Sequence, residues 1–133
     1  MEKLKPFAPV VIRIGMGIVF LWFGSDQFIH TSDWLGYIPQ SISDMLPIGT
    51  ATIVHLNAAF EIIFGLALFL GFYTRLAAFL LALHLLDITY IVGYSALGVR
   101  DFGLSIATIS IWLYGNDFFS LDRYMSGSVE SKL

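Results

Sequence analysis

Four long apolar stretches, each interrupted or edged by an ionisable side chain, constrain this 133-residue chain more than any other feature. The clearest runs from Leu56 to Phe72, where Glu61 is the one charged residue. A carboxylate in such a segment is costly unless something pairs with it or uses it, which makes it a functional-site hypothesis. Arg13, His84 and Asp87 hold comparable places in their own stretches. Composition decides what surrounds the stretches. The chain is 57% hydrophobic and 13% charged, where soluble domains carry about 25% charged residues. With a mean hydropathy of +0.79, a soluble fold of this length has too little interior to hide the apolar surface. The sequence therefore predicts one all-α domain, an integral membrane antiparallel four-helix bundle.

The predicted spans are residues 7–28, 51–70, 76–94 and 101–115, each long enough for most or all of a ~30 Å hydrocarbon layer. Pro9 suits the first turn of the first span, and Arg13 interrupts what a signal peptide would need as its apolar core. Residues 30–50 carry Pro39, Pro47, Gly36 and Gly49 among apolar side chains at helix-like intervals, which predicts short interfacial turns with Trp34 and Tyr37 at headgroup level. Asp101 is expected to open the fourth span as a cap on the helix dipole. The domain is taken to cover residues 1–125, with a polar tail at 126–133 frayed from beyond Tyr124. Lys3, Lys5, Arg13, Arg75, Arg123 and Lys132 fall at one end and Arg100 at the other, so both termini are expected to be cytoplasmic in a multi-pass plasma-membrane protein.

Several function classes are excluded. The absence of cysteine removes thiol chemistry, thiolate metal sites and iron–sulfur ligation from this chain. A net charge of -3 gives no footprint for nucleic acid. No phosphate-binding loop or metalloprotease motif is present, and no metal ligand set is predicted. A haem held by His55 and His84 is disfavoured because their depths differ by roughly 10 Å.

Depth at ~1.5 Å per helical residue places Glu61 about 15 Å from one face, and His84 and Asp87 about 12 and 16 Å from the other. These three converge near the midplane. Asn57 lies one turn from Glu61 on the same helix. Arg13, roughly 7 to 9 Å from the inner face, is within reach of Glu61, and the expectation is an Arg13–Glu61 ion pair with His84 and Asp87 beside it. The alternative is that Arg13 snorkels to the headgroups and the remaining polar groups only hold helices together. At the outer rim, Asp26 and His30 share a helix face, and Arg100 can bridge to Asp26 beside Asp101. Small residues four apart, such as Ala78 and Ala82, permit close helix contact or a homo-oligomer face.

Three segments together resemble the DoxX family of small four-helix membrane proteins: RIGMGIVFLWFGSDQFIH with WLGYIP, EIIFGLALFLGFYTRLAAFLLAL, and VRDFGLSIATISIWLYGNDFFSLDR. The resemblance covers about Val11 to Tyr124 and implies a link to quinone-coupled sulfur or antioxidant redox systems, with a redox partner subunit. It also implies that Arg13, Glu61, Arg100 and Asp101 form the family's polar core. One departure is Gln27, where many members have lysine.

The expected function is a subunit or accessory of such a system, embedded in the lipid bilayer, with no covalent cofactor. It would bind a quinone headgroup or small anion, with Arg13 pairing or polarising, Glu61 and His84 exchanging protons, and Asp87 orienting His84. Asn57, Asp26, Arg100 and Asp101 would contribute to binding. Two other classes are a small proton- or ion-coupled transporter or channel, and a scaffold for a soluble enzyme. Whether the chain is itself an enzyme is left open.

Overall fold

The computed structural model describes residues 2–130 and is helical throughout its regular elements. A 3₁₀ turn at Glu2–Phe7 leads into α1 (Ala8–Ile29), which has proline in its first turn as expected. The connection that follows holds α2 (Thr31–Trp34), a 3₁₀ turn and α3 (Gln40–Met45), so helical turns flank Pro39. Then come α4 (Thr50–Leu70), α5 (Thr74–Val92), α6 (Ala96–Tyr114) and α7 (Leu121–Glu130). The four long helices, with the first counted from Glu2, are long and apolar enough to cross a membrane. Only 28–33% of each span's most apolar window is buried within the protein. Side chains such as Ile18, Ile63, Leu83, Ile106 and Leu113 point outward, and lipid is the solvent that accepts them.

Each span presents one buried stripe with the 3.6-residue period of a helix. On α1 it is Val10, Arg13, Met16, Gly17, Phe20, Gly24 and Gln27, and on α4 it is Val54, Ala58, Glu61, Gly65 and Leu68. These two stripes interlock closely because three positions lack a side chain. A Cβ on Gly17 would lie 2.8 Å from Phe69 Cα, one on Gly24 would lie 2.8 Å from the Ala58 carbonyl, and one on Gly65 would lie 2.8 Å from Phe20 Cβ. α5 packs as closely along α6, where Ala77, Ala78 and Ala82 keep its buried face narrow. The two helix pairs meet more sparsely, around a core of Met16, Phe20, Leu68, Leu81, Leu85 and Ile111.

The turn between α4 and α5 is a Schellman motif. Gly71 takes the left-handed conformation (φ 71°), its N–H donates to Leu68 O at 3.1 Å, and Phe72 N–H donates to Ala67 O at 2.9 Å. Tyr73 is also left-handed (φ 46°), and the Asp122 carboxylate accepts from the N–H groups of Tyr73 (2.7 Å) and Thr74 (2.8 Å). An acid at the base of α7 thus caps α5, a helix far from it in sequence. The rings of Phe7 and Phe119 lie 6.2 Å apart, so both ends of the chain gather at one end of the bundle, called here the terminal end.

Two expectations are corrected. α6 begins at Ala96, not Asp101: Ser95 Oγ caps it by accepting from Gly98 N–H at 3.1 Å, and Asp101 is buried inside the helix. The tail is helical past Tyr124, where an unstructured end was expected. α7 continues to Glu130, its first turn held where Ser120 Oγ accepts from Arg123 N–H at 3.4 Å and by Asp122. Residues 131–133 of the predicted tail lie outside the described residues.

Candidate functional site

Polar groups on the buried stripes divide into two separate clusters. At the terminal end, Arg13 pairs with Asp117, Nε to Oδ2 at 2.5 Å, with the two side chains only 2% and 1% exposed. Its Nη1 donates to the carbonyls of Leu68 (3.0 Å) and Phe69 (2.5 Å) in the last turn of α4, where Leu68 O also accepts from Gly71 N–H. Phe119 N–H in turn donates to Asp117 Oδ1 at 2.9 Å, which fixes the acid. The expected Arg13–Glu61 pair is therefore absent. Glu61 lies two turns away from Leu68, about 10 Å along α4, and Asp117 and the α4 carbonyls meet the guanidinium first.

At mid-bundle, three polar side chains converge on Glu61. Gln27 Nε2 donates to Oε2 at 2.8 Å, Asn57 Nδ2 donates to Oε1 at 3.3 Å, and His84 Nε2 faces the same Oε1 at 3.3 Å. Asn57 Nδ2 also donates to Gln27 Oε1 at 2.7 Å, which closes the network. Glu61 and Gln27 are buried and His84 is mostly so. Phe60 stands against the imidazole, ring centres 4.9 Å apart. The network joins α1, α4 and α5, and its only potential cation is His84. Asp87, expected to orient that ring, has no hydrogen bond to His84 among the described residues; the imidazole's partner is Glu61.

This network forms the floor of a cavity of about 820 Å³. Its walls carry Phe20, Trp22, Phe23, Trp34, Tyr37 and Phe60, along with Asp26, Asp33, Asp87, Arg100 and Asp101. Near the mouth, Asp26 accepts from Trp34 Nε1 at 2.9 Å and pairs with His30 Nδ1 at 2.8 Å. Arg100 does not bridge to Asp26. Its Nε donates to Asp101 at 2.7 Å, and its guanidinium lies 4.7 Å from the centre of the Phe23 ring. His55 remains at the rim, against Phe28 and 3.0 Å from Thr31 Oγ1. Among the described residues no group of three or more His, Asp or Glu is arranged to hold a metal ion.

Glu61, His84, Asn57, Asp87, Asp26, Arg100 and Asp101 thus all border one cavity, while Arg13 does not. Sequence reasoning missed two partners. Gln27 shares the α1 stripe with Arg13 at helical intervals, a signal that marks it as buried. Asp117 lies past the last span, where hydropathy carries no information about burial.

A DoxX family model matches residues 8–94, about two thirds of the chain. The chain belongs to the DoxX family. The matched part contains Arg13, Gln27, Asn57, Glu61, His84 and Asp87, whereas Arg100, Asp101 and Asp117 lie beyond it. No curated protein and no solved structure matches this DoxX chain significantly.

Proposed function

We propose that this DoxX-family membrane protein binds a quinone-type headgroup in the cavity above Glu61, as a subunit or accessory of a quinone-linked redox system. The observation that carries the reading is the Glu61–His84 pair at the floor of an aromatic-walled cavity. Reducing a quinone to a quinol consumes two electrons and two protons. A carboxylate and an imidazole in contact can hold and pass protons, and Gln27 and Asn57 fix the carboxylate's orientation. The chain has no cysteine, so the electrons would come from a redox partner subunit.

The same geometry argues against the small-anion version. The cavity wall carries Asp26, Asp33, Glu61, Asp87 and Asp101 against Arg100 and His84, a balance that repels anions. Arg13, enclosed with Asp117, is a structural tie in this reading and does not polarise a ligand. In this reading the terminal end is cytoplasmic in a plasma-membrane protein, an orientation supported by the basic residues Lys3, Lys5, Arg75 and Arg123.

Trp22 and Trp34 line the cavity and report on occupancy. Titrating quinone-depleted protein with a short-tailed quinone analogue should quench their fluorescence saturably. Quenching that is linear and unaffected by Glu61→Gln would contradict the reading. A proton- or cation-coupled transporter is the second reading, favoured by the one observation that Arg13 does not neutralise Glu61.

A further inference from the structure

The cavity ends at one level on all four spans. Its deepest lining residues are Val19 and Phe20 on α1, Glu61 on α4, His84 on α5 and Leu104 on α6. From the helix starts at Thr50 and Ala96, Glu61 and Leu104 lie about 16 and 12 Å in, so the floor is near mid-membrane. The opposite end is bordered by Trp34, Tyr37, Pro39, Ile42 and Leu97, which belong to the connections and to the first turn of α6.

The other half of the bundle is of different character. Met16, Leu68, Ala78, Leu81 and Ile111 fill it, each at most 5% exposed. Thr108 is the buried polar residue of α6 at this depth, and its hydroxyl donates to Leu104 O of its own helix at 2.8 Å, so its proton is engaged within the helix. Just above it, Ser105 likewise donates to Phe102 O at 2.7 Å. Beneath this apolar layer the Arg13–Asp117 pair closes the terminal end, with guanidinium donors occupied by the carboxylate and by the α4 carbonyls.

We propose that the cavity is a one-sided access path: water and protons reach Glu61 and His84 from the end bordered by Trp34 and Leu97, and the terminal half of the bundle is a dry seal. The inference extends the reading of Glu61 and His84 as a proton-exchanging pair, although the path itself does not depend on a quinone. Proton uptake or release at the pair is then vectorial, drawing on the compartment opposite the chain termini. The acids along the path, Asp26, Asp87 and Asp101, favour entry of cations over anions.

The natural chain has no cysteine, so single cysteines report access without background. Ser41→Cys and Ser126→Cys, both at exposed positions, mark the far and terminal ends. A membrane-impermeant cationic methanethiosulfonate reagent is added to one side of sealed membranes containing the full chain. Asn57→Cys and Asp87→Cys should react from the Ser41 side and not from the Ser126 side. Thr108→Cys, close in size to the residue it replaces, should react at least tenfold more slowly than either from both sides, and Ala78→Cys serves if that variant melts early. Reaction of Asn57→Cys or Asp87→Cys from the Ser126 side, or of a folded seal-layer cysteine as fast as Asn57→Cys, overturns the proposal. Labelling is read with no quinone present, so a failure of quinone binding and a failure of one-sided access are separate results.

Discussion

Arg13 and Asp117 stand 104 positions apart in the chain and meet inside it, with Nε and Oδ2 at 2.5 Å. One guanidinium thereby joins α1, the end of α4 and the link between α6 and α7. Removing one partner of an enclosed pair leaves the other charge uncompensated, which costs about 3–5 kcal/mol. Asp117→Ala and Arg13→Ala should each lower the thermal midpoint sharply in detergent. The double variant should lose clearly less than the sum of the two. Additive losses in that double-mutant cycle would mean that the pair is not coupled.

The α1–α4 contact rests on the missing side chains of Gly17 and Gly24, whereas among the described residues Gly15 has nothing within 4 Å of where a Cβ would be. Gly17→Ala and Gly24→Ala should destabilise by about 1–3 kcal/mol through overpacking. Gly15→Ala should be neutral, or stabilising by up to about 1 kcal/mol through helix propensity. Thermal unfolding of the three variants side by side checks the ordering.

Asp122 holds the start of α5 through two backbone N–H groups while Tyr73 sits in a left-handed conformation. Asp122→Ala should cost about 1–2 kcal/mol as a lost cap. It should also speed hydrogen exchange locally at Tyr73 and Thr74. Unchanged exchange at those two amides would show that the cap is not the restraint.

What the sequence made legible follows from what hydropathy measures. Length and apolar content place a span and its depth, so Glu61 and His84 could be brought to one level before their contact was seen. Rotation about the helix axis is harder to read where nearly every face is apolar, as on α4. Arg13 was therefore placed within reach of Glu61 by depth, although its contacts are with Asp117 and the α4 carbonyls. The start of α6 was misread because Asp101 is the more conspicuous cap, yet the local chemistry of Ser95 followed by Ala, Leu and Gly supplies the working one.

Thr74 is fully buried, and its Oγ1 has no hydrogen-bond partner among the described residues. An unpaired buried hydroxyl costs about 1–3 kcal/mol, and valine has nearly the same shape. Thr74→Val should leave the thermal midpoint unchanged or raise it. A clear fall would reveal a partner for the hydroxyl.

Equilibrium titration of a short-tailed quinone analogue into quinone-depleted protein tests the central claim most directly, comparing the unmodified chain with Glu61→Gln, Gln27→Leu and Thr74→Val. A hydrogen bond to a charged group contributes about 1.5–3 kcal/mol, so removing the charge at Glu61 should weaken binding by roughly tenfold to a hundredfold. Gln27→Leu should weaken it in the same direction because the carboxylate loses its 2.8 Å donor. Thr74→Val, at the terminal end, should bind like the unmodified chain. Saturable binding that depends in this way on Glu61 and Gln27 is the predicted result; no saturable binding, or equal affinity in all four proteins, would contradict it.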